Sequence, residues 1–444
     1  MAVFRISTYG ARCCIFIGTL LLSLTFCSYS LRSGVAEFYA GSERLEDLER
    51  AARLEPDNAA NWYNLGLYWR LNADHPDLSR AINYFVHAAH VNPHSADIWM
   101  DLGKSYELNS EISQARAAFL EARANYPVSA DVAWRYGNFL LRQGETDAAF
   151  AEIRRSLAEE PGRAAEAISV CWRAKPDIRV LLDQVLPASP QVYLSVIEVF
   201  AKQWETDAAL EVWRRLAGLQ PKLELKQVNV FVDALLAKRQ VAEAHEVWTQ
   251  ALGFAGIPRP DDPAKSLIWD GGFETGVSGG FAWRVQAAHG AQTDFDSEVR
   301  HSGNRALRIH FDGRQNVQFE NVCQFVAVAP ETAYQLAAWM RTKSVTTDRG
   351  VYIIVRTPEF PGNPPAMSAD MRETQPWTRL TVPWTAGKDV HLAQVCLGRA
   401  ASQKLDNQIS GTVWVDDLTL TPESAPPAAA SAASPAEPAP KERP

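Results

Sequence analysis

Pro93, Pro127 and Pro161 fall 34 residues apart, and the residues between them repeat with them. A period of that length holds two short helices and their turns, a hairpin that cannot bury its apolar face alone and must stack on copies of itself. Such a stack presents an extended surface, so the chain reads as one that acts by binding and scaffolding.

The second full unit is the cleanest. Trp99, Leu102, Gly103, Tyr106, Ala115, Phe119, Ala122 and Pro127 recur at fixed spacings. Trp99, Leu102 and Tyr106 form one helix's apolar stripe, Gly103 and Ala115 are small enough for two helices to approach, and Pro127 stops the second helix. The preceding unit reads Trp62, Leu65, Gly66, Trp69, Ala81, Phe85, Ala88, Pro93, with a longer turn at Asn72–Leu78. The following one reads Ala133, Tyr136, Gly137, Leu140, Ala149, Ile153, Ser156, Pro161. These positions resemble the tetratricopeptide repeat (TPR). Pro56 looks like the end of a half repeat, residues 162–189 like a degenerate helical pair around Trp172, and two looser units follow around Trp213 and Trp248.

In the TPR family the first helix of each unit lines a concave groove. The resemblance puts Tyr63, Leu67, Arg70, Met100, Lys104, Glu107, Trp134, Asn138 and Arg142 on that face. Mixed aromatic, amide and charged groups suit a protein or peptide ligand, although each is also, singly, an ordinary surface residue.

The 444 residues leave room for two or three domains. A net charge of −8 and the lack of a Lys/Arg stripe argue against nucleic acid. Before Glu37 stand Arg5, Arg12 and Arg32 and no acid, and between them runs an apolar stretch, Cys13 to Tyr29. That stretch is just long enough to span a bilayer. Arg5 and Arg12 would hold the leading end in the cytoplasm and put the body outside. A retained anchor fits, and so does a cleaved signal with weak cut sites after Ser30 or Ala36. The expected location is the cell inner membrane, single-pass, with the body facing the periplasm or exterior. Cys13, Cys14 and Cys27 belong to the apolar stretch, Cys171 stands alone, and Cys323 and Cys396 could pair if their strands adjoin.

After Phe254 helical periodicity stops. Pro258, Pro260 and Pro263 mark a stiff linker, and from Leu267 to Leu420 short alternating runs separated by turn residues predict a β-sandwich. The runs are 306–311, 322–328, 334–340, 351–355, 378–382, 392–397 and 412–420. The opening Asp270-Gly271-Gly272-Phe273-Glu274, then Trp283, His301-Ser302-Gly303, Tyr334 to Trp339, Trp377 and the closing Gly411 to Leu418 resemble jelly-roll carbohydrate-binding modules and the wider galactose-binding-like sandwich. That resemblance implies a structural calcium held by Glu274 and Asp416, with Asp417 as the alternative; the same carboxylates also serve as capping or turn residues. It further implies sugar binding by aromatic faces with amides or Arg. Tyr352 and Arg356 share one strand face, and Gln324, Gln394 and Trp384 could join them. Trp283, Trp339, Trp377 and Trp414 read as packing residues.

Gly276-Val277-Ser278-Gly279-Gly280 matches a nucleophile-elbow pattern but has no helix after it, so it reads as loop composition. His87, His90 and His94 are spaced along one helical face, but Pro93 breaks the helix before His94. No Walker loop, dinucleotide fingerprint or HExxH occurs. No motif excludes a paired-carboxylate glycosidase.

The expectation is a multidomain chain: an all-α TPR solenoid followed by an all-β jelly-roll sandwich, with an N-terminal transmembrane helix. Residues 1–33 form the stub and anchor, 34–254 the solenoid, 255–265 the Pro-rich linker, 266–421 the sandwich and 422–444 a disordered Pro/Ala-rich tail. The function expected is that of a non-enzymatic envelope adaptor, holding a protein in the groove and glycan on the sandwich. Anchor followed by TPR units also resembles repeat regions tied to exopolysaccharide and O-antigen systems. The rivals are a purely structural scaffold and an accessory protein or hydrolase of polysaccharide metabolism.

Overall fold

The computed structural model describes residues 8–72, 75–260, 262 and 264–423. Arg5, Pro263 and the tail from 424 onward lie outside the described residues. The chain divides into two compact units that part between Val192 and Tyr193.

The first unit is helical: α1 (Tyr9–Ala40), α2 (Leu45–Leu54), α3 (Ala59–Leu71), α4 (Leu78–Val91), α5 (Ala96–Leu108), α6 (Ile112–Asn125), α7 (Ala130–Arg142), α8 (Thr146–Glu159), α9 (Ala164–Ala174) and α10 (Ile178–Gln184). From α1 on, successive helices pair as hairpins. The repeat positions explain why. A Cβ on Gly66 would stand 2.6 Å from the buried Phe85 ring, one on Gly103 3.0 Å from Phe119, and one on Gly137 2.9 Å from Ile153. Each unit therefore puts its glycine under the large residue of the partner helix, where a larger side chain would force that residue to shift. The tryptophans have a polar reason as well. Trp62 Nε1 donates to the carbonyl of Pro56 and Trp99 Nε1 to that of Pro93, both at 2.8 Å, tying each unit to the corner that closes the one before. Helix starts are capped by Asn58, Asp77 and Ser129, whose side chains accept from Ala60, Arg80 and Val132 N–H groups.

Helix α1 runs unbroken from the apolar stretch to Ala40, past the boundary expected at residue 33. Nothing between Tyr29 and Ala40 stops it: Gly34 is a single weak helix former and no proline intervenes. Its last turns join the stack, since Ala36 is fully buried and Ser33 donates to Glu55 of the segment after α2. The half repeat expected at Pro56 is thus completed by the end of the apolar helix. The same helix is long and apolar enough to cross a membrane or to act as a signal sequence.

Helix α11 (Pro190–Lys202) straddles the division. The second unit continues with α12 (Thr206–Gly218), α13 (Asn229–Ala237) and α14 (Val241–Ala255), and then ten strands. These are β1 (Arg284–Val285), β2 (Ala291–Asp296), β3 (Ala306–Asp312), β4 (Phe319–Ala327), β5 (Ala333–Val345), β6 (Tyr352–Arg356), β7 (Ala366–Met367), β8 (Glu373–Thr385), β9 (Leu392–Arg399) and β10 (Ser410–Pro422). They form two five-stranded sheets, β1-β4-β9-β6-β7 and β2-β3-β10-β5-β8, with antiparallel neighbours throughout. Alternation puts Ile309, Val413 and Met340 of one sheet against Val322, Ile353 and Val395 of the other in a single core. The seven expected runs all become strands. The short β1 and β7 and the polar β2, Ala-Gln-Thr-Asp-Phe-Asp, carry too little apolar signal to be read.

Helices α13 and α14 do not stand off on a linker; they pack on the sandwich. Gly279 and Gly280, at φ +86° and +55°, let the loop close over Asn229 and Trp248, where a Cβ would come within 2.4 and 2.5 Å. That contact is what the Gly-rich stretch around Ser278 is for. Arg284 pairs with Asp233 of α13, and Arg239 donates to the carbonyl of Glu359 at 2.9 Å. Cys323 and Cys396 face each other across β4 and β9 and are joined by a disulfide.

Candidate binding sites

In the first unit, α3, α5 and α7 are the leading helices of three successive hairpins, so equivalent positions line up. Arg70, Met100, Lys104, Trp134, Asn138 and Arg142 come together around a cavity of about 530 Å³. Glu107 sits at its edge, bonded by Arg142 at 2.6 and 2.9 Å and by Lys104 at 3.0 Å. Burial pushes the Glu107 carboxyl up, but these two cations outweigh it and hold it below its ordinary value. Tyr63 is drawn out of the groove proper: its hydroxyl donates to Asp101. Burial first, and that bond second, push the Tyr63 phenol far above its usual range.

Asp101 is the member that sequence reasoning missed. It is buried, and besides Tyr63 it accepts from Arg70 Nη1 at 2.9 Å and Arg135 Nη1 at 3.2 Å. The signal was available in the period. Asp101 and Arg135 occupy the same position of consecutive units, 34 residues apart, with opposite charges. The result is a groove floor in which Asp101 and Glu107 are already matched, leaving the Trp134 ring, the Asn138 amide and the outer parts of Lys104 and Arg142 to meet a ligand.

The sugar-binding residues expected on the sandwich do not all meet. Tyr352, Arg356 and Gln394 share the outer face of the first sheet, with Arg356 opposite Gln394 and Tyr352 opposite Gly398. The Tyr352 ring lies over Gly398, where a Cβ would be 2.3 Å from it, and Arg356 pairs with Glu320 at 2.6 Å. Gln324 does not belong with them. It faces inward with no exposure, and its amide both accepts from Trp269 N–H at 2.9 Å and donates to Trp269 C=O at 2.7 Å. An amide that satisfies a buried backbone is not free for a hydroxyl. Trp384 is also elsewhere, on β8 of the second sheet, opposite Tyr334 with ring centroids 5.7 Å apart.

The β1–β4 side of that same face is covered. His245 meets Phe281 at 5.3 Å, Trp248 meets Trp269 at 6.5 Å, and Arg284 lies over Phe325 at 4.9 Å. His245, Trp248, Trp269, Phe281 and Phe325 line a cavity of about 360 Å³ between α14 and the sheet. Of the four tryptophans read as packing, Trp283 and Trp414 are buried, whereas Trp339 and Trp377 are half-buried and flank His301, stacked on it at 4.2 Å and edge-on at 5.6 Å.

Glu274 and Asp416 both approach Gly272, whose Cβ position lies 3.9 Å from Glu274 Oε1 and 3.7 Å from Asp416 Oδ1. Asp416 is fully buried and accepts from the His301 and Ser302 N–H groups at 2.8 and 3.0 Å; burial, and secondarily the Asp417 charge, lift its pKa. Glu274 accepts from Asn304 N–H at 2.7 Å. Asp417 turns away, to His301 Nδ1 and Ser302 Oγ, each at 2.6 Å. Among the described residues no three His, Cys, Asp or Glu side chains cluster as a metal site would. The three histidines part as Pro93 dictates: α4 ends at Val91, His87 packs against Trp62 with tilted rings 4.2 Å apart, and His94 meets Asn125.

Residues 73–127 and 109–164 match the family model of the tetratricopeptide repeat. No curated protein matches the chain. Among solved structures, TmCBM61, described in complex with beta-1,4-galactotriose, aligns at 19% identity and TM-score 0.26, over 36% of this chain and 99% of that one. A family 16 carbohydrate-binding module aligns at 21% identity and TM-score 0.26, over 35% and 99%. YrrB, described as a TPR protein with an unusual peptide-binding site, aligns at 13% identity and TM-score 0.25, over 48% and 94%. With hairpins that put Gly103 under Phe119 and Gly137 under Ile153 and the family match in the same stretch, residues 73–164 are tetratricopeptide repeats, followed in the chain by an all-β sandwich.

Proposed function

We propose that this protein is a membrane-anchored, non-enzymatic adaptor that holds a protein or peptide segment in the repeat groove and engages glycan with the sandwich, in the handling of exported polysaccharide. The observation that carries it is the groove: a cavity of about 530 Å³ on three stacked repeats, with an aromatic ring, an amide and two half-paired cations around the paired Asp101 and Glu107. Such a surface can grip an extended chain by stacking and hydrogen bonds without a reacting group. Co-purification from cells tests it. Trp134→Ala with Arg142→Glu should release a partner that the wild-type chain retains, whereas retention of that partner places its contact outside the groove.

The continuity of α1 supports a retained anchor. A cut after Ser30 or Ala36 would fall inside a helix whose last turns pack on the stack. The disulfide supports an oxidising compartment for the body, so the chain beyond α1 faces the periplasm or exterior. A purely structural scaffold is the second reading, and the packing of α13 and α14 on the sandwich favours it.

Glu274 and Asp416 fit a hard cation. Both are oxygen donors, they converge at Gly272, and neither has a cationic side chain as partner among the described residues. When bound, calcium would supply the counter-charge and tie the opening segment to the last strand; further oxygens would come from main-chain carbonyls. A carboxyl whose pKa is raised by folding destabilises the fold as pH rises through that value. Chelation should therefore lower the melting temperature at neutral pH and do so less in acid; an unchanged melting temperature at neutral pH removes the calcium from this account.

A further inference from the structure

The outer face of the second sheet lies on the opposite side of the sandwich from the face on which α14 packs. Register sets two rows of side chains across it. Asp294, Arg308, Trp414 and Arg341 stand side by side, and next to them Gln292, His310, Thr412 and Lys343. Their neighbours along the strands, Leu307, Ile309, Val413, Val415 and Met340, face the core, so both rows point outward. Arg308, Trp414, Gln292, His310, Thr412 and Lys343 line a cleft of about 440 Å³, and Arg341 stands at its edge, beside Trp414 in the register.

Charge singles this cleft out. Arg308 is bonded by Asp294 at 2.6 Å and lies 3.7 Å from Asp296, which also accepts from Trp414 Nε1 at 2.9 Å. Both acids are thereby engaged at the β2 side. Arg341, over the Trp414 ring at 5.8 Å, and Lys343 are exposed and have no carboxylate partner among the described residues. Unmatched cations in and beside an open cleft are not the default surface of a chain carrying a net −8.

The floor says what kind of anion fits. Trp414 is only 7% exposed, so it cannot serve as a platform on which a neutral sugar ring stacks. Around the cations stand polar groups instead: the Gln292 amide, and His310 and Thr412, whose Nδ1 and Oγ1 lie 3.1 Å apart. Recognition here would run through charge and hydrogen bonds along an open cleft, which suits an extended polyhydroxylated chain bearing carboxylates. We propose that this cleft binds an acidic glycan, a hexuronate-type chain whose carboxylates meet Arg341 and Lys343 and whose hydroxyls meet Gln292, His310 and Thr412. The proposal rests on the reading that the sandwich engages glycan, and it places the contact on the second sheet, away from Tyr352.

Calorimetric titration of the full-length protein in detergent tests it, with a hexuronate oligomer and a neutral hexose oligomer of equal length as probes. The uronate should bind, the neutral oligomer should not, and the affinity should fall as salt is raised. Arg341→Ala with Lys343→Ala should weaken uronate binding about tenfold or more. Lys343→Glu should weaken it too, Lys343→Arg should keep it, and Tyr352→Ala should leave it unchanged. Both cations are exposed, so an unchanged melting temperature verifies that the variants fold. Equal binding of the neutral oligomer overturns the acidic specificity. Uronate binding that survives the double variant but is lost in Tyr352→Ala overturns the location and leaves the glycan reading standing. Failure of every oligomer to bind overturns both.

Discussion

At the residue scale, Asp101 is the most consequential side chain of the groove, because three donors from three helical positions converge on it. Replacing it by alanine strands Arg70, whose side chain is only 12% exposed, and leaves the Tyr63 hydroxyl unpaired. Asp101→Ala should cost roughly 2–4 kcal/mol, read by chemical denaturation; a cost near zero would mean that Arg70 and Tyr63 find other partners. The shared face was legible because a 34-residue period fixes which positions align, and six of the nine residues expected on it line the cavity. Asp101 was not, since an aspartate on an apolar helix looks like solvent-facing polarity until its Arg135 counterpart is aligned with it. The sandwich gives the opposite lesson. Alternation along a strand separates Gln324 from Gln394 only once the register is known, and no sequence pattern states which sheet Trp384 joins.

At the element scale, the informative packing is that of α14 on the sandwich. His245 of α14 sits against Phe281, and burial, then the nearby Arg259 charge, push its pKa below the ordinary value. A histidine depressed by folding contributes fully above its unfolded pKa, and that contribution is lost as pH falls through the folded value. The second unit should thus lose stability as pH drops below about 6.5, and His245→Gln should flatten that slope in thermal melts; an unaltered slope would assign the dependence to another group. The disulfide acts within the same unit. Reducing Cys323–Cys396, which closes a separation of 73 residues, should cost about 2–4 kcal/mol, seen as a lower melting temperature with reductant; no change would mean that the strands hold without it. The strands were legible from their apolar alternation and the helices from their small-then-large spacing. The docking of α13 and α14 was not, because its determinants, Gly279 and Gly280, read in sequence as featureless loop.

At the scale of the whole molecule, a single helix carries the apolar N-terminal stretch into the first hairpin without a joint, so the start of the repeat stack is fixed to whatever holds that helix. A stiff attachment suits an adaptor, whose value lies in presenting a partner at a set position. The most direct measurement of that role is site-specific photo-crosslinking in intact cells, with the reactive group at Asn138 inside the groove or at the exposed Glu121 on α6. The account predicts a discrete crosslinked protein from Asn138, lost when Trp134 and Arg142 are replaced, and none from Glu121. Equal crosslinking from both positions, or none from Asn138, would contradict it.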